Sequence, residues 1–294
     1  NFSDPPALLY FAKLVLIQFV SVLTLTVLFR ADPARFTRYF LISGVILGVA
    51  VTAKVIVDPD VFIYASVIQR LTIENANPIW LARTFAFAAI CVIFLPIRSR
   101  YAKMLGVSVF IIAMIPTGSR APLGALVAVL ILYFINKYAA ARTFLLASLA
   151  FGALMMATVF IPGLSDSLTE FFSRGRNVGV FEESGRSMLF ARAFMEFLSS
   201  PLIGVGLNRF AMGDAISTVS GALRSYPHNM ILEVLSATGV IGFVLFVLTF
   251  RLGRWVLTPG GPYYFLFIYS LLVAMTSGDL NANNGVIIFA VLAR

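Results

Sequence analysis

Long apolar runs recur along the whole chain and limit what it can fold into. Of the 294 residues, 60% are hydrophobic and only 12% are charged, whereas a soluble domain carries about 25% charged residues. A soluble globular enzyme is therefore excluded. The runs are continuous rather than alternating, so helices and not barrel strands must cross the membrane. We predict an all-α polytopic membrane protein with about nine transmembrane helices, at residues 7–29, 37–57, 79–97, 101–116, 121–136, 142–161, 229–250, 262–277 and 284–293.

Small groups of basic residues separate alternate apolar runs. By the positive-inside rule these groups mark the cytoplasmic ends of the helices. They are Arg30, Arg35 and Arg38; Arg98, Arg100 and Lys103; Lys137 and Arg142; and Arg251 and Arg254. This grouping explains the net charge of +9 as membrane topology, and we predict no nucleic-acid partner. The remaining connections, including the long one at residues 162–228, then face the outside.

The long outer connection at residues 162–228 nearly balances acidic against basic side chains. Loops of this length without structure of their own are uncommon unless they function. Within residues 187–199, apolar side chains repeat on one helical face, and polar side chains lie on the other: Arg192, Glu196 and Ser199. We predict a helix along the outer membrane surface, which Pro201, Gly204 and Gly206 then end.

The chain shows no repeated block at a solenoid period, so we predict one membrane domain over residues 1–294, with the long outer loop at 162–228 within it. The first residues lack the basic start and small-residue cleavage site of a signal peptide. The abrupt start and end lead us to expect a chain trimmed from a longer protein.

Two arginines follow glycines at the starts of predicted helices. Arg120 ends the sequence Thr-Gly-Ser-Arg (117–120), and Arg186 ends Ser-Gly-Arg (184–186). A helix N-terminus with free N–H groups beside a guanidinium is a good anion site. Each arginine also has an ordinary interpretation: Arg120 as an interfacial side chain that reaches water, and Arg186 as the partner of a nearby glutamate.

His228 is the only histidine and lies where the long outer connection enters an apolar run. A lone histidine in such a place is more often an ordinary hydrogen-bonded residue, but its ordinary pKa near 6.5 suits a general base. Glu233, five residues on, is costly in an apolar run unless it is paired. With one histidine and one cysteine, Cys91, the chain has neither a disulfide within itself nor a multi-histidine zinc site.

Two further places compete for function. Asp58 and Asp60 can hold a divalent metal with a phosphate, although such a pair is more often found in turns and caps. The sequence Asn-Ala-Asn-Pro-Ile-Trp (75–80), followed by Arg83, marks the outer start of the third run. Trp80 there is typical of an interfacial anchor, and Arg83 is a candidate phosphate contact or a side chain that reaches water.

Taken together, the ordered motifs resemble the bacterial O-antigen ligase and polymerase family. They are Thr-Gly-Ser-Arg (117–120), Ser-Gly-Arg (184–186), Ser-Pro-Leu-Ile-Gly-Val-Gly (200–206), and His-Asn (228–229) with Glu233 and Gly239. The resemblance is strongest over residues 112–243. The chain has fewer predicted spans than expected for the family, in keeping with missing N-terminal spans.

The resemblance implies a GT-C-like helical bundle in the bacterial inner membrane, with its active site on the periplasmic side. It implies an inverting, metal-independent glycosyltransferase that uses no cofactor. The donor would be a glycan on undecaprenyl diphosphate, and the acceptor lipid A core or another lipid-linked glycan. By residue match, Arg120 and Arg186 would bind the diphosphate and His228 would activate the acceptor hydroxyl. Further candidate substrate-binding residues are Arg83, Arg192 and Asn229.

Three alternatives remain open from the sequence. The enzyme can be an O-antigen or exopolysaccharide polymerase that extends lipid-linked repeats, because the motifs serve both activities. The chain can be a transporter of lipid-linked sugars, although it lacks the matching broken halves of that class. It can also be a metal-dependent transferase that uses Asp58 and Asp60. The favoured hypothesis requires the two arginines and His228 to meet in a single pocket beneath the outer head groups.

Overall fold

The computed structural model describes residues 5–57, 78–137, 185–207, 210, 226–251, 260–276 and 283–293. These described residues are helical or lie in turns and connections, and none of them forms a strand. Their α-helices are α1 (Pro5–Ala31), α2 (Pro33–Val57), α3 (Pro78–Phe94), α4 (Arg100–Met114), α5 (Arg120–Lys137), α6 (Gly185–Ser199), α7 (Met230–Arg251), α8 (Pro262–Ala274) and α9 (Gly285–Leu292). A 3₁₀ turn at Ile115–Thr117 continues α4.

Eight of the predicted apolar runs coincide with helices of the described chain, namely α1 to α5 and α7 to α9. The predicted run at 142–161 lies outside the described residues. Four of the described helical segments are long and apolar enough to cross a membrane: Pro33–Val57, Arg100–Thr117, Arg120–Lys137 and Met230–Leu248. Large apolar side chains on them are exposed, as a lipid-facing surface requires. The protein is an integral membrane protein whose described residues form helices and no strands, and the count of nine spans stays a prediction.

The chain divides into two compact units. One contains α2 to α5, and we call it the α2–α5 unit. The other contains α1 together with α6 to α9, and we call it the α6–α9 unit. That residues 1–294 act as one membrane domain stays a prediction.

Helix α3 is the centre of the α2–α5 unit, with nearly all of its residues from Leu81 to Ile93 buried. Helix α2 packs against it through Gly44 and Gly48. A Cβ added at Gly44 would overlap the sulfur of Cys91, and one at Gly48 would overlap the methyl of Ala88. The four-residue spacing of the two glycines is the small-residue pattern that lets membrane helices approach closely.

Helices α3 and α5 run in the same direction, because two short connections reverse the chain between them. The rings of Phe94 and Tyr133, near the C-terminal ends of these helices, meet edge to face at 5.6 Å. At the same end, the ammonium of Lys103 donates to the carbonyl of Ile93 at 2.8 Å, and that of Lys137 donates to the hydroxyl of Tyr133 at 2.8 Å. One end of the unit is therefore rich in basic side chains.

The α6–α9 unit is built around α7, which is broken at Gly239 (φ 64°, ψ −168°). The segment Pro201–Gly206, which we call the bridging segment, bonds to both sides of the break. The amides of Val205 and Gly206 donate to the carbonyls of Ser236 and Ala237 at 2.8 and 3.0 Å. In return, the amides of Val240 and Ile241 donate to the carbonyls of Pro201 and Leu202 at 2.8 and 3.1 Å.

Glycines make this approach of two backbones sterically feasible. Gly204 (φ 69°) and Gly239 (φ 64°) both have positive φ angles, which residues with a side chain rarely adopt. A Cβ at Gly204 would overlap the backbone of Ala237, and one at Gly239 would overlap the backbone of Leu202. On the other side of α7, Met230 and Val234 pack with Ala274 of α8 and Val286 of α9.

The helix predicted within residues 187–199 is confirmed as α6, which begins at Gly185, and its place along the membrane surface stays a prediction. In α6, two charged side chains are more buried than several of the apolar side chains. Arg192 and Glu196 are mostly buried, with side chains 28% and 20% exposed, while Phe194, Met195 and Leu198 are exposed. Arg192 and Glu196 form an ion pair at this buried face, and the exposed apolar side chains of α6 face away from the protein interior.

Candidate functional site

Arg120 is positioned by a rigid turn at the start of α5. Gly118 (φ 61°) closes the 3₁₀ turn in a left-handed conformation, and the buried Thr117 hydroxyl donates to the carbonyl of Met114 at 2.6 Å. The amide of Ser119 donates back to that hydroxyl at 3.3 Å. Pro122 is buried in the first turn of α5. The turn is buried and held by hydrogen bonds, whereas Arg120 is exposed. The backbone of Arg120 is therefore fixed while its side chain lies at the surface.

Arg83 of α3 lies at the same end of the α2–α5 unit as Arg120. Phe94 and Tyr133 are in contact, and the two arginines lie about the same number of residues before them on α3 and α5. At 1.5 Å per helical residue, the positions of the two arginines along the helix axes differ by only about 3 Å. The guanidinium of Arg83 lies 5.2 Å from the ring centroid of Trp80, a cation–π geometry. Two cations therefore mark the end of the unit opposite Lys103 and Lys137, which suits an anionic ligand.

His228 has a left-handed backbone (φ 56°), which distinguishes it from the other described non-glycine residues. Such a conformation is uncommon outside glycine and persists where the surroundings hold it. Pro227 before it is buried, and the His228 ring is half-buried. Its centroid lies 4.2 Å from that of Tyr226, with the rings tilted by 47°. The imidazole is thus held against an aromatic ring directly before α7, with part of its surface accessible.

Asn229 fixes the start of α7 immediately after the histidine. Its side-chain oxygen accepts from the amide of Leu232 at 3.1 Å, the geometry of a helix N-cap. Its side-chain nitrogen donates to the carbonyl of Met275, just past α8, at 3.3 Å. Asn229 therefore ties two helices together, and the contacts give it a positioning role beside His228. Its predicted part in substrate binding is not tested by these contacts.

Glu233 lies in the first turn of α7, one turn after Asn229. Its amide donates to the carbonyl of Asn229 at 2.9 Å, and its carbonyl accepts from the hydroxyl of Ser236 at 3.2 Å. A carboxylate near a helix N-terminus is stabilised by the helix dipole. The position of Glu233 near the helix start therefore lowers the free-energy cost of placing a carboxylate in an apolar run.

Arg192 makes several contacts inside the α6–α9 unit. Its Nε donates to the carboxylate of Glu196 at 3.2 Å, and its terminal nitrogen donates to the carbonyl of Phe210 at 2.6 Å. The guanidinium also lies 4.3 Å from the centroid of the Phe210 ring. These contacts give Arg192 a structural role that sequence reasoning missed, because Phe210 is eighteen residues away along the chain.

Arg186 is the second residue of α6, so the prediction that it follows a glycine at a helix start is confirmed. Its side chain lies outside the described part of the structure, as do Asp58 and Asp60, the alternative metal ligands. The structure thus places Arg83 and Arg120 at one end of the α2–α5 unit. It places His228 and Asn229 together at the start of α7. The meeting of the catalytic side chains in a single pocket stays a prediction.

The chain matches the family described as O-antigen ligase over residues 105–247. The matched region includes the turn before Arg120, the start of α6 at Arg186, the bridging segment, and His228 with Asn229. Arg83 lies outside it. The family resemblance is confirmed by this match. No curated protein and no solved structure matches the chain significantly.

Proposed function

We propose that the chain, which matches the O-antigen ligase family over residues 105–247, is a membrane glycan-processing enzyme and specifically an O-antigen ligase. In this proposal it transfers a glycan from undecaprenyl diphosphate to a sugar hydroxyl of lipid A core, at the periplasmic face of the inner membrane. The family match carries the proposal. Four helical segments able to cross a membrane support it, because donor and acceptor are both membrane-anchored.

The proposed reaction inverts the anomeric carbon and needs no metal. The acceptor oxygen attacks the anomeric carbon, the bond from that carbon to the diphosphate oxygen breaks, and undecaprenyl diphosphate leaves with the bonding electrons. Negative charge develops on the diphosphate, and aligned guanidinium groups stabilise it. We assign this role to Arg120 and Arg186, with Arg83 as a further phosphate contact. The exposed position of Arg120 at a helix start supports the assignment.

His228 is the proposed general base. It takes the proton from the acceptor hydroxyl as the new glycosidic bond forms, and releases it to water after the product leaves. The half-buried ring and the capped helix that follows support this role, since a base must be both oriented and reachable. Holding two anchored substrates beside such a group removes much of the entropic barrier to their reaction.

The proposal is tested by reconstituting the purified protein in nanodiscs with an undecaprenyl-diphosphate-linked glycan and, in separate reactions, two acceptors. Glycan on lipid A core supports the ligase, whereas lengthening of the lipid-linked glycan alone identifies a polymerase. Movement of the lipid across vesicle membranes without a new glycosidic bond identifies a transporter. Activity that is lost in chelator and restored by a divalent cation would contradict the metal-independent mechanism.

Arginine variants in the same assay test the diphosphate site. We expect Arg120→Ala and Arg186→Ala each to lower the rate about 10²- to 10³-fold, the range found when one transition-state donor is removed. Arg35→Ala is the matched control, because Arg35 is exposed and paired with Asp32 at 3.4 Å. A rate within twofold of wild type for either test variant contradicts its role.

A further inference from the structure

The bridging segment is bonded to α7 at a position well inside the apolar part of that helix. The candidate membrane span is Met230–Leu248, and the break at Gly239 lies midway along it. Ile241, whose amide binds the carbonyl of Leu202, comes eleven residues after Met230. At 1.5 Å per residue this is about 16 Å along the helix, or roughly half of the ~30 Å hydrocarbon layer. The bridging segment must therefore lie at a similar depth.

Its side chains suit that depth. Leu202 and Ile203 are 65% and 71% exposed, although both are large and apolar. They adjoin Val240 and Ile241, which are also exposed on the membrane-spanning helix. The neighbouring helices also carry large exposed apolar side chains, which are Phe194, Met195 and Leu198 on α6 and Val240, Ile241, Val244 and Leu245 on α7. Because the bridging segment is bonded to the candidate span, its own exposed apolar side chains indicate the lipid environment of that span.

The backbone of the bridging segment also meets the main requirement of that environment. Irregular backbone at membrane depth is tolerated only where protein or a water-filled cavity satisfies its polar groups. Here the amides of Val205 and Gly206 and the carbonyls of Pro201 and Leu202 are bonded to α7, and the amide of Gly204 donates to the carbonyl of Ser200 at 2.8 Å. The break in α7 supplies the partners, and the segment in turn satisfies groups that the break frees.

We propose that the bridging segment is re-entrant: it dips from the membrane surface into the hydrocarbon layer beside the broken α7, with Leu202 and Ile203 in contact with lipid acyl chains. Helix α6 then leads into the layer with Phe194, Met195 and Leu198 toward lipid and with Arg192 and Glu196 toward protein. The occupant of this surface is the bilayer itself. The proposal concerns membrane contact and does not depend on the proposed reaction.

Site-directed spin labelling measures the depth directly. Because Cys91 is the only cysteine and is buried, a Cys91→Ala background allows single-cysteine variants. Leu202→Cys and Ile203→Cys are labelled with a nitroxide, in protein reconstituted in nanodiscs of phosphatidylethanolamine and phosphatidylglycerol. Power saturation compares collisions with oxygen, which concentrates in lipid, and with a nickel chelate, which stays in water. Leu245→Cys is the lipid control and Arg98→Cys the water control.

We expect the labels at both test positions to be more accessible to oxygen than to the nickel chelate, as for Leu245→Cys. The reverse order, as for Arg98→Cys, overturns the proposal. A second pair of variants does not need labelling. Ile203→Asp should lower the yield of folded, membrane-inserted protein at least fivefold, whereas Arg98→Asp, at the exposed position that serves as the water control, should not. Equal yields for the two also overturn it, and neither readout involves glycan transfer.

Discussion

His228 joins an uncommon backbone to a group able to take a proton. Its left-handed conformation (φ 56°) costs of order 1 kcal/mol for a residue with a Cβ. Asn229, bonded to both α7 and the end of α8, fixes the chain directly after it. The sequence could place a histidine before a helix, but the conformation of its backbone depends on contacts from α8.

Replacing His228 by glycine removes the proposed base without straining the backbone. Glycine adopts φ 56° freely, so His228→Gly should fold as well as wild type while its transfer rate falls about 10²- to 10⁴-fold, the usual worth of a general base. Added imidazole should restore part of the rate. The measurement is the transfer assay with and without imidazole, with a thermal melt as folding control. Undiminished activity in His228→Gly would remove the general-base role.

Asn229 can be separated into its two bonds by a pair of variants. Serine is a good N-cap but does not reach Met275, so Asn229→Ser should cost about 0.5 to 1.5 kcal/mol, the worth of one hydrogen bond. Asn229→Ala should cost about 1 kcal/mol more, because it also loses the cap. Thermal unfolding in detergent ranks the three proteins. Full stability with lost activity in Asn229→Ser would instead favour direct substrate binding.

At the scale of the helices, the continuous apolar runs predicted the positions of the helices well but not their packing. Eight predicted runs coincide with helices whose ends differ by four residues or fewer, because a run of about twenty apolar residues has few alternatives to a membrane helix. The approach of α2 to α3 through Gly44 and Gly48 was not predicted. The four-residue spacing of the glycines indicates a close contact between helices, but it does not identify the partner helix.

Glycine variants test the junction between the bridging segment and α7. Gly204→Ala and Gly239→Ala each combine a left-handed backbone with overlap of neighbouring backbone, so we expect little folded protein from either. Gly206→Ala has the strained φ of 106° but open space around its Cβ, and should cost about 1 to 2 kcal/mol.

The matched control for that series is Gly124→Ala in α5, where a Cβ meets nothing within 4 Å. Alanine there should be neutral or stabilise by about 0.5 to 1 kcal/mol, because glycine is unfavourable inside a helix. Thermal stability and the size-exclusion peak of each purified variant give the order. If Gly239→Ala were as stable as Gly124→Ala, the close contact between the bridging segment and α7 would not be needed to stabilise the break in α7.

At the scale of the whole molecule, the sequence groups basic residues between apolar runs rather than along a binding stripe. In the α2–α5 unit, Lys103 and Lys137 lie at one end and Arg120 at the other, a separation set by the parallel course of α3 and α5. The positive-inside rule assigns the lysine end to the cytoplasm. That assignment requires the first turn of α5 to face the periplasm.

Membrane orientation is tested by cysteine labelling in spheroplasts, again in the Cys91→Ala background. A membrane-impermeant maleimide should react with Arg120→Cys from outside, and with Arg98→Cys only after the membrane is permeabilised. The two positions are both exposed, so they differ in side and not in burial. The opposite pattern would place Arg120 in the cytoplasm and contradict a periplasmic active site.

The sequence by itself determined that this protein is a bundle of membrane helices, and where Arg120, Arg186 and His228 stand relative to the helix starts. These are local properties, since apolar length, glycine and proline act within a few residues. Tertiary structure decided that Arg192 contacts Phe210, that Arg83 shares an end with Arg120, and that the bridging segment bonds to α7 at its break. Such contacts join segments distant along the chain, and their geometry follows from packing and backbone hydrogen bonds that local patterns do not specify.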